Sequence, residues 1–126
     1  MGSALQSIVH LQFERVASVE KLFSYGTLRD PDVQRAVFGH TVDAVPDALA
    51  GYRLVSVRVR NWDGAAISGG DKQLTLVPGE GEPISGAVLS ITEDELRLTD
   101  SYEPAEYKRT RVRLCSGNEA WVYRKN

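Results

Sequence analysis

Hydrophobic spacing changes character several times along the chain, and each change marks an element. Glu20 to Ser24 is a short, mainly apolar run that reads as a buried strand, followed by the glycine turn Tyr25-Gly26-Thr27-Leu28. Helix signals come next. Asp30 is placed to be the N-cap, Pro31 fits the first helical position, and Asp32 complements the dipole. Val33, Ala36 and Val37 make an apolar face, and Gly39 can end the helix. From Ala48 to Arg60 the period drops to two, with Val55, Val57 and Val59 on one face and Ser56, Arg58 and Arg60 on the other. Asn61 to Lys72 is rich in Gly, Asp and Asn and reads as a loop. Gln73 to Val77 and Ile84 to Ile91 read as strands joined by Pro78-Gly79-Glu80-Gly81.

A second helix is marked by the capping box of Thr92 and Glu95, with Ile91 stapled to Leu96. It should run to Ser101 or Tyr102, because Pro104 disfavours helical backbone in the residue before it. Tyr107 to Leu114 and Glu119 to Tyr123 pair as a hairpin around Ser116-Gly117-Asn118. About six strands and two helices, several strands having one polar face, predict an α+β domain whose mixed or antiparallel sheet curls towards a barrel. Residues 1–19 stand apart. Val9, Leu11 and Phe13 alternate as an added edge strand would, and a mobile extension is the other reading.

Composition narrows the class. The 126 residues suffice for one domain with a real core, at 42% hydrophobic and 25% charged. A net charge of -2 weighs against nucleic acid and against a membrane surface as partners. The arginines at 58, 60, 109, 111 and 113 alternate with apolar residues, which is how the wet face of a strand looks. No apolar stretch approaches the ~18 residues of a membrane span, and Glu14 and Arg15 break any leader-like run, so a reducing cytoplasmic location is expected. Cys115 is alone, sits in a strand-like run and reads as a buried, inert thiol. With only His10 and His40 beside it there is no metal-ligand set, and both histidines read as solvated or core residues.

Nucleotide signatures fail on spacing. The third glycine of Gly79, Gly81 and Gly86 falls too late and precedes a strand, and neither a phosphate loop nor a GxSxG elbow occurs. Two features remain. The Tyr25–Leu28 turn could aim backbone N–H groups into one cavity if Gly26 takes a positive φ, and so hold a carboxylate. Asp100, Glu103 and Glu106 cluster around the end of the second helix, where the negative end of the dipole and apolar Tyr102 would raise a carboxyl pKa usefully. Chemistry alone does not choose among the three acids.

The segments LFSYGTL at Leu22–Leu28, GYRL at Gly51–Leu54, ISGAVLSIT at Ile84–Thr92, DSYEPAEYKRTRV at Asp100–Val112 and AWVY at Ala120–Tyr123 resemble, in order, the γ-glutamylcyclotransferase-like family. That resemblance implies a small mixed β-barrel flanked by two or more helices over residues 20–126. It also implies cyclisation of a γ-glutamyl amide to 5-oxoproline with release of an amine or amino acid. Tyr25, Gly26, Thr27 and Leu28 match the loop that holds the glutamyl end, Glu103 the catalytic acid/base, and Tyr107 a pocket tyrosine. Arg109 also matches and is read as structural. The nucleophile is the substrate's own amine, so neither a protein nucleophile nor a metal or organic cofactor is implied. The partner is a small-molecule γ-glutamyl substrate, and the chain is a monomer or homodimer. A non-catalytic binding or regulatory module of the same fold is the alternative. Relatives often carry Tyr-Pro-Gly or His-Pro on the leaving-group side, where this chain has NWDGAAISGGDKQLTLV, so the leaving group is left open. Trp62 in that stretch is either a pocket lid or a cover for the barrel mouth.

Overall fold

The computed structural model describes residues 19–60, 62–70 and 72–126. The expected extension, with His10, lies outside the described residues, as do Asn61 and Asp71. Seven strands are seen: β1 (Val19–Ser24), β2 (Ala44–Leu49), β3 (Tyr52–Arg58), β4 (Lys72–Pro78), β5 (Ile84–Thr92), β6 (Tyr107–Arg113) and β7 (Glu119–Lys125). Three α-helices accompany them: α1 (Pro31–Phe38), α2 (Ala65–Ser68) and α3 (Glu93–Tyr102), with a single 3-10 turn at Thr27–Arg29.

Local signals account for both longer helices. The Asp30 side chain accepts from the Asp32 N–H at 2.8 Å, Pro31 occupies the first helical position, and Gly39 stops α1 at φ 82°. In α3 the Thr92–Glu95 capping box is complete in both directions, at 2.9 and 3.1 Å.

The main sheet has the order β2-β5-β1-β7-β6, with β1 antiparallel to β5 and parallel to β7, so it is mixed. β3 and β4 form a separate antiparallel hairpin. The α+β class holds, yet the sheet does not close into a true barrel, because β2 and β6 share no ladder. It is instead pinned across its end. Cys115 N–H donates to the Ala48 carbonyl at 2.8 Å, and the Ser116 hydroxyl donates to Asp47 at 2.5 Å.

Alternation sends successive residues to opposite faces. Leu22, Leu89, Ile91 and Tyr123 meet Val33 of α1 with Leu96 and Tyr102 of α3, whereas Phe23, Val88, Ala120 and Val122 meet Leu49, Leu76 and Leu114. Each fully buried large apolar side chain contributes roughly 1.5–3 kcal/mol to keeping these layers together.

Three readings change. The period-two stretch is broken at Ala50-Gly51, where Gly51 takes φ 88°, and β2 begins upstream at Ala44. Pro46 lies inside β2, which is tolerable because β2 is an edge strand with no ladder to donate to on its outer side. Within Asn61–Lys72 a one-turn helix, α2, interrupts the loop. Cys115 is exposed, not buried, because β6 ends at Arg113 and the thiol sits in the following turn. Among the described residues no helix is long and apolar enough to cross a membrane.

Candidate functional site

A cavity of about 620 Å³ opens where the end of β1, the turn after it, the start of β4 and the chain leaving α3 converge. Tyr25, Gly26, Thr27, Leu28, Glu103 and Tyr107 all line it, so six residues selected from sequence surround one space. Ser68, Gly69, Gly70, Lys72, Gln73 and Leu74 form a rim that sequence reasoning passed over as loop and strand. The one available signal was the departure from the family pattern in that stretch.

The carbonyls of the turn are tied up by neighbouring groups. Arg29 donates through Nη2 to the Tyr25 carbonyl and through Nε to the Gly26 carbonyl, both at 3.3 Å. The Thr27 carbonyl accepts from Asp30 N–H at 2.9 Å, and the Leu28 carbonyl accepts from the buried Gln34 side chain at 2.8 Å. Gln34 also accepts from Val42 N–H at 3.1 Å, which fixes α1 and the segment after it beneath the turn. The Thr27 and Leu28 N–H groups have no acceptor among the described residues, as expected for the first amides of a 3-10 turn. The mechanism anticipated for Gly26 is corrected here. Its φ is -130°, not positive, so the turn forms without a left-handed glycine. A Cβ at Gly26 would meet nothing within 4 Å, so glycine leaves the space beside the turn open.

Glu103 ends α3 with φ -66° and ψ 150°, the extended backbone that Pro104 imposes on its neighbour. That break releases its side chain from the helix surface into the cavity, while its N–H still donates to the Thr99 carbonyl at 2.9 Å. No described residue hydrogen-bonds the carboxyl, and burial pushes its pKa up to about 8. The neighbouring acids differ. Asp100 takes a bidentate pair from Arg109, at 2.8 and 3.2 Å, and the Tyr123 hydroxyl at 2.5 Å. Burial opposes its charge, but these partners hold its pKa below the usual carboxylate range. Glu106 is exposed. The three acids differ in geometry: Asp100 is paired, Glu106 is exposed, and Glu103 lies in the cavity with no partner among the described residues.

Phenols wall the site without charge. Tyr25 donates to the Tyr123 carbonyl at 2.5 Å, and Tyr107 donates to the Leu74 carbonyl at 2.9 Å, holding the rim against β6. Burial, then Glu103, pushes Tyr107 up to about 12; burial also raises Tyr25 and Tyr123. The Tyr123 hydroxyl bonds Thr99 Oγ1 at 2.7 Å as well as Asp100, so it clamps the last turn of α3. Arg109 also lies 4.3 Å over the Trp121 ring, a packing role in keeping with a structural arginine. Trp62 does not line the cavity. Its indole donates to the Tyr102 carbonyl at 2.5 Å and packs edge-on against Tyr102, covering the end of α3. His40 is an exposed surface residue bonded to Glu95 at 2.6 Å and to the Thr41 carbonyl at 2.8 Å, far in role from the cavity. Among the described residues no three His, Cys, Asp or Glu side chains come together as a metal-ligand group.

Residues 22–126 match the family described as gamma-glutamyl cyclotransferase, AIG2-like. AIG2-like protein C of Arabidopsis thaliana is 30% identical over 94 residues, which is 74% of this chain and 48% of that protein. AIG2-like protein D of the same plant is 26% identical over 98 residues, 77% of this chain and 57% of that protein. The chain therefore spans about half the length of the curated relatives it matches. A solution structure of an Arabidopsis thaliana protein superposes with a TM-score of 0.67 at 25% identity, over 86% of this chain and 69% of that one. A structure titled gamma-glutamyl cyclotransferase gives 0.65 at 14% identity, over 86% and 67%, a likeness of fold alone.

Proposed function

This chain belongs to the AIG2-like γ-glutamyl cyclotransferase family, and we propose that its cavity cyclises a γ-glutamyl amide to 5-oxoproline, with Glu103 as the general acid/base. The observation that carries the reading is the Glu103 carboxyl, which has no hydrogen-bond partner among the described residues and lies in the cavity that the Tyr25–Leu28 turn also lines, where burial pushes its pKa up to about 8. An acid that only held a ligand would gain nothing from being desolvated and unpartnered. One that must both take and return a proton near neutral pH does.

The substrate's glutamyl end rests against the Tyr25–Leu28 turn, its α-carboxylate accepting from the two free amides. Glu103, in its ionised form, takes a proton from the α-ammonium. The freed amine attacks the δ-carbonyl and closes a five-membered ring. Glu103 returns its proton to the departing nitrogen as the amide C–N bond breaks, the ring nitrogen sheds its extra proton, and the carboxylate is regenerated. Because the reaction is intramolecular, holding the bent conformer supplies much of the barrier reduction, up to ~7–11 kcal/mol for well-oriented groups.

The test is a panel of γ-glutamyl amino acids and γ-glutamylamines, with 5-oxoproline as the readout. Turnover abolished by Glu103→Gln, with the fold and ligand binding kept, supports the mechanism. Undiminished turnover in that variant removes Glu103 from it. Binding without turnover across the panel replaces catalysis with a binding module.

A further inference from the structure

We propose that the Ser24 hydroxyl is the donor that meets the substrate's δ-carbonyl oxygen as that oxygen takes up negative charge, a role that rests on the cyclisation reading above.

Ser24 is the last residue of β1, directly before the Tyr25–Leu28 turn. The β1–β5 ladder fixes its backbone opposite Ala87. Alternation places its side chain on the sheet face of Leu22, which packs with Leu96 and Tyr102 of α3. Glu103 leaves that helix into the cavity, and Ser24 lines the same cavity. At 7% exposure a hydroxyl needs partners for both its oxygen and its proton. The oxygen accepts from Gly26 N–H at 3.4 Å, whereas the proton has no acceptor among the described residues.

The other neutral side-chain donors described on the cavity wall each have a protein acceptor within reach. Tyr25 and Tyr107 donate to the Tyr123 and Leu74 carbonyls, and the Tyr123 hydroxyl donates to Asp100. Thr27 is bonded to Tyr102, and Ser68 and Gln73 both donate to the Gly70 carbonyl. Ser24 is the exception among them.

Ring closure creates the matching acceptor. As the freed amine attacks, the carbonyl π pair moves onto oxygen and leaves a tetrahedral alkoxide. When the C–N bond breaks, that pair re-forms C=O and the departing nitrogen takes the proton held by Glu103. The Thr27 and Leu28 amides are occupied by the α-carboxylate in this reading, and Gly26 N–H is occupied by Ser24. Arg29 is tied to the carbonyls of the turn, and Lys72 is exposed on the rim. Ser24 keeps its proton throughout. Its hydrogen bond is stronger to an alkoxide than to a neutral carbonyl, so it favours the transition state over bound substrate. Accepting from Gly26 N–H polarises the O–H bond further.

The probes are γ-glutamylalanine and its thioamide, in which sulfur replaces the δ-carbonyl oxygen. Ser24→Ala should lower kcat for the amide about 100-fold, the scale of one lost oxyanion donor, with KM nearly unchanged. Sulfur is the weaker acceptor, so the ratio of amide to thioamide turnover should shrink severalfold in that variant. A merely structural role would slow both compounds alike and leave the ratio as it was, which overturns the proposal. An unchanged kcat, or a loss confined to KM, overturns it too. Ser24→Cys, similar in size with a weak S–H donor, should show the same loss and serves if the alanine variant does not fold. Turnover abolished by Glu103→Gln but kept by Ser24→Ala sinks the Ser24 assignment alone. Absence of turnover in the unmodified chain sinks cyclisation and the assignment with it.

Discussion

Tyr102 Oη lies 2.9 Å from Thr27 Oγ1, so the helix that delivers Glu103 is bonded directly to the turn on the other side of the cavity. Two elements separated by most of the chain are held in one register by a single hydroxyl pair. Tyr123 reinforces this, because its carbonyl accepts from Tyr25 while its hydroxyl bonds Thr99 and Asp100 of α3. Spacing between the acid and the turn is therefore set by side-chain bonds between elements far apart in the chain.

Glu103 makes stability fall with pH. Its folded pKa, about 8, lies above the ordinary 4.5, so between those values the folded state binds a proton that the unfolded state has lost. Stability due to this group is complete below pH 4.5 and is lost as pH rises through 8, by at most about 1.4 kcal/mol per pH unit. Glu103→Gln should flatten that decline and be the more stable protein at pH 9. Urea unfolding at pH 5, 7 and 9 measures it, and parallel curves for the two proteins would contradict the buried acid.

Asp100 has the opposite sign. Its folded pKa lies below its ordinary value, so its contribution is present above that value and is lost as pH falls through the folded one. Asp100→Ala should cost about 1–3 kcal/mol, since Arg109 and the Tyr123 hydroxyl both lose their acceptor. Tyr123→Phe should cost about 1 kcal/mol and lower kcat more than it raises KM, because it loosens the turn from which Glu103 emerges. A change confined to KM would argue against that positioning role.

Two glycines should respond in opposite ways. Gly26→Val places its branch in open space with a negative φ, so the fold should hold within about 1 kcal/mol while substrate binding is lost by obstruction. At Gly86 a Cβ would come within 2.4 Å of the Ser24 carbonyl oxygen and 2.6 Å of Phe23 Cζ. The Ser24 oxygen is β1 backbone and Phe23 is packed in the core, so Gly86→Ala should destabilise the protein by about 1–3 kcal/mol. Thermal melts paired with ligand calorimetry distinguish the two outcomes.

Tyr107→Phe frees the Leu74 carbonyl from its only side-chain donor among the described residues. The variant should lose about 1 kcal/mol of stability and raise KM severalfold as the rim loosens. An unchanged KM would show that the rim is held without this bond.

What could be read along the chain were interactions spanning a few residues: the Asp30 cap with Pro31 and Gly39, the Thr92–Glu95 box, the alternation of β3, and the turn before Asn118. Their energies depend on neighbours within one helical turn or one hairpin, so residue order alone carries them. Family resemblance added which residues to watch and the roles to expect of them. Folding decided the rest. Asp100, Glu103 and Glu106 are equivalent acids in sequence, and they diverge because Arg109 and Tyr123 reach Asp100, solvent reaches Glu106, and Pro104 turns Glu103 into the cavity. The place of Pro46 depends on β2 being an edge, and the exposure of Cys115 on where β6 stops. Even the Tyr25–Leu28 turn, legible from the start, is held not by a glycine with positive φ but by Arg29 and Gln34 bonding its carbonyls. Partner choice and desolvation arise between residues far apart in the chain, and only the packed structure fixes which of them meet.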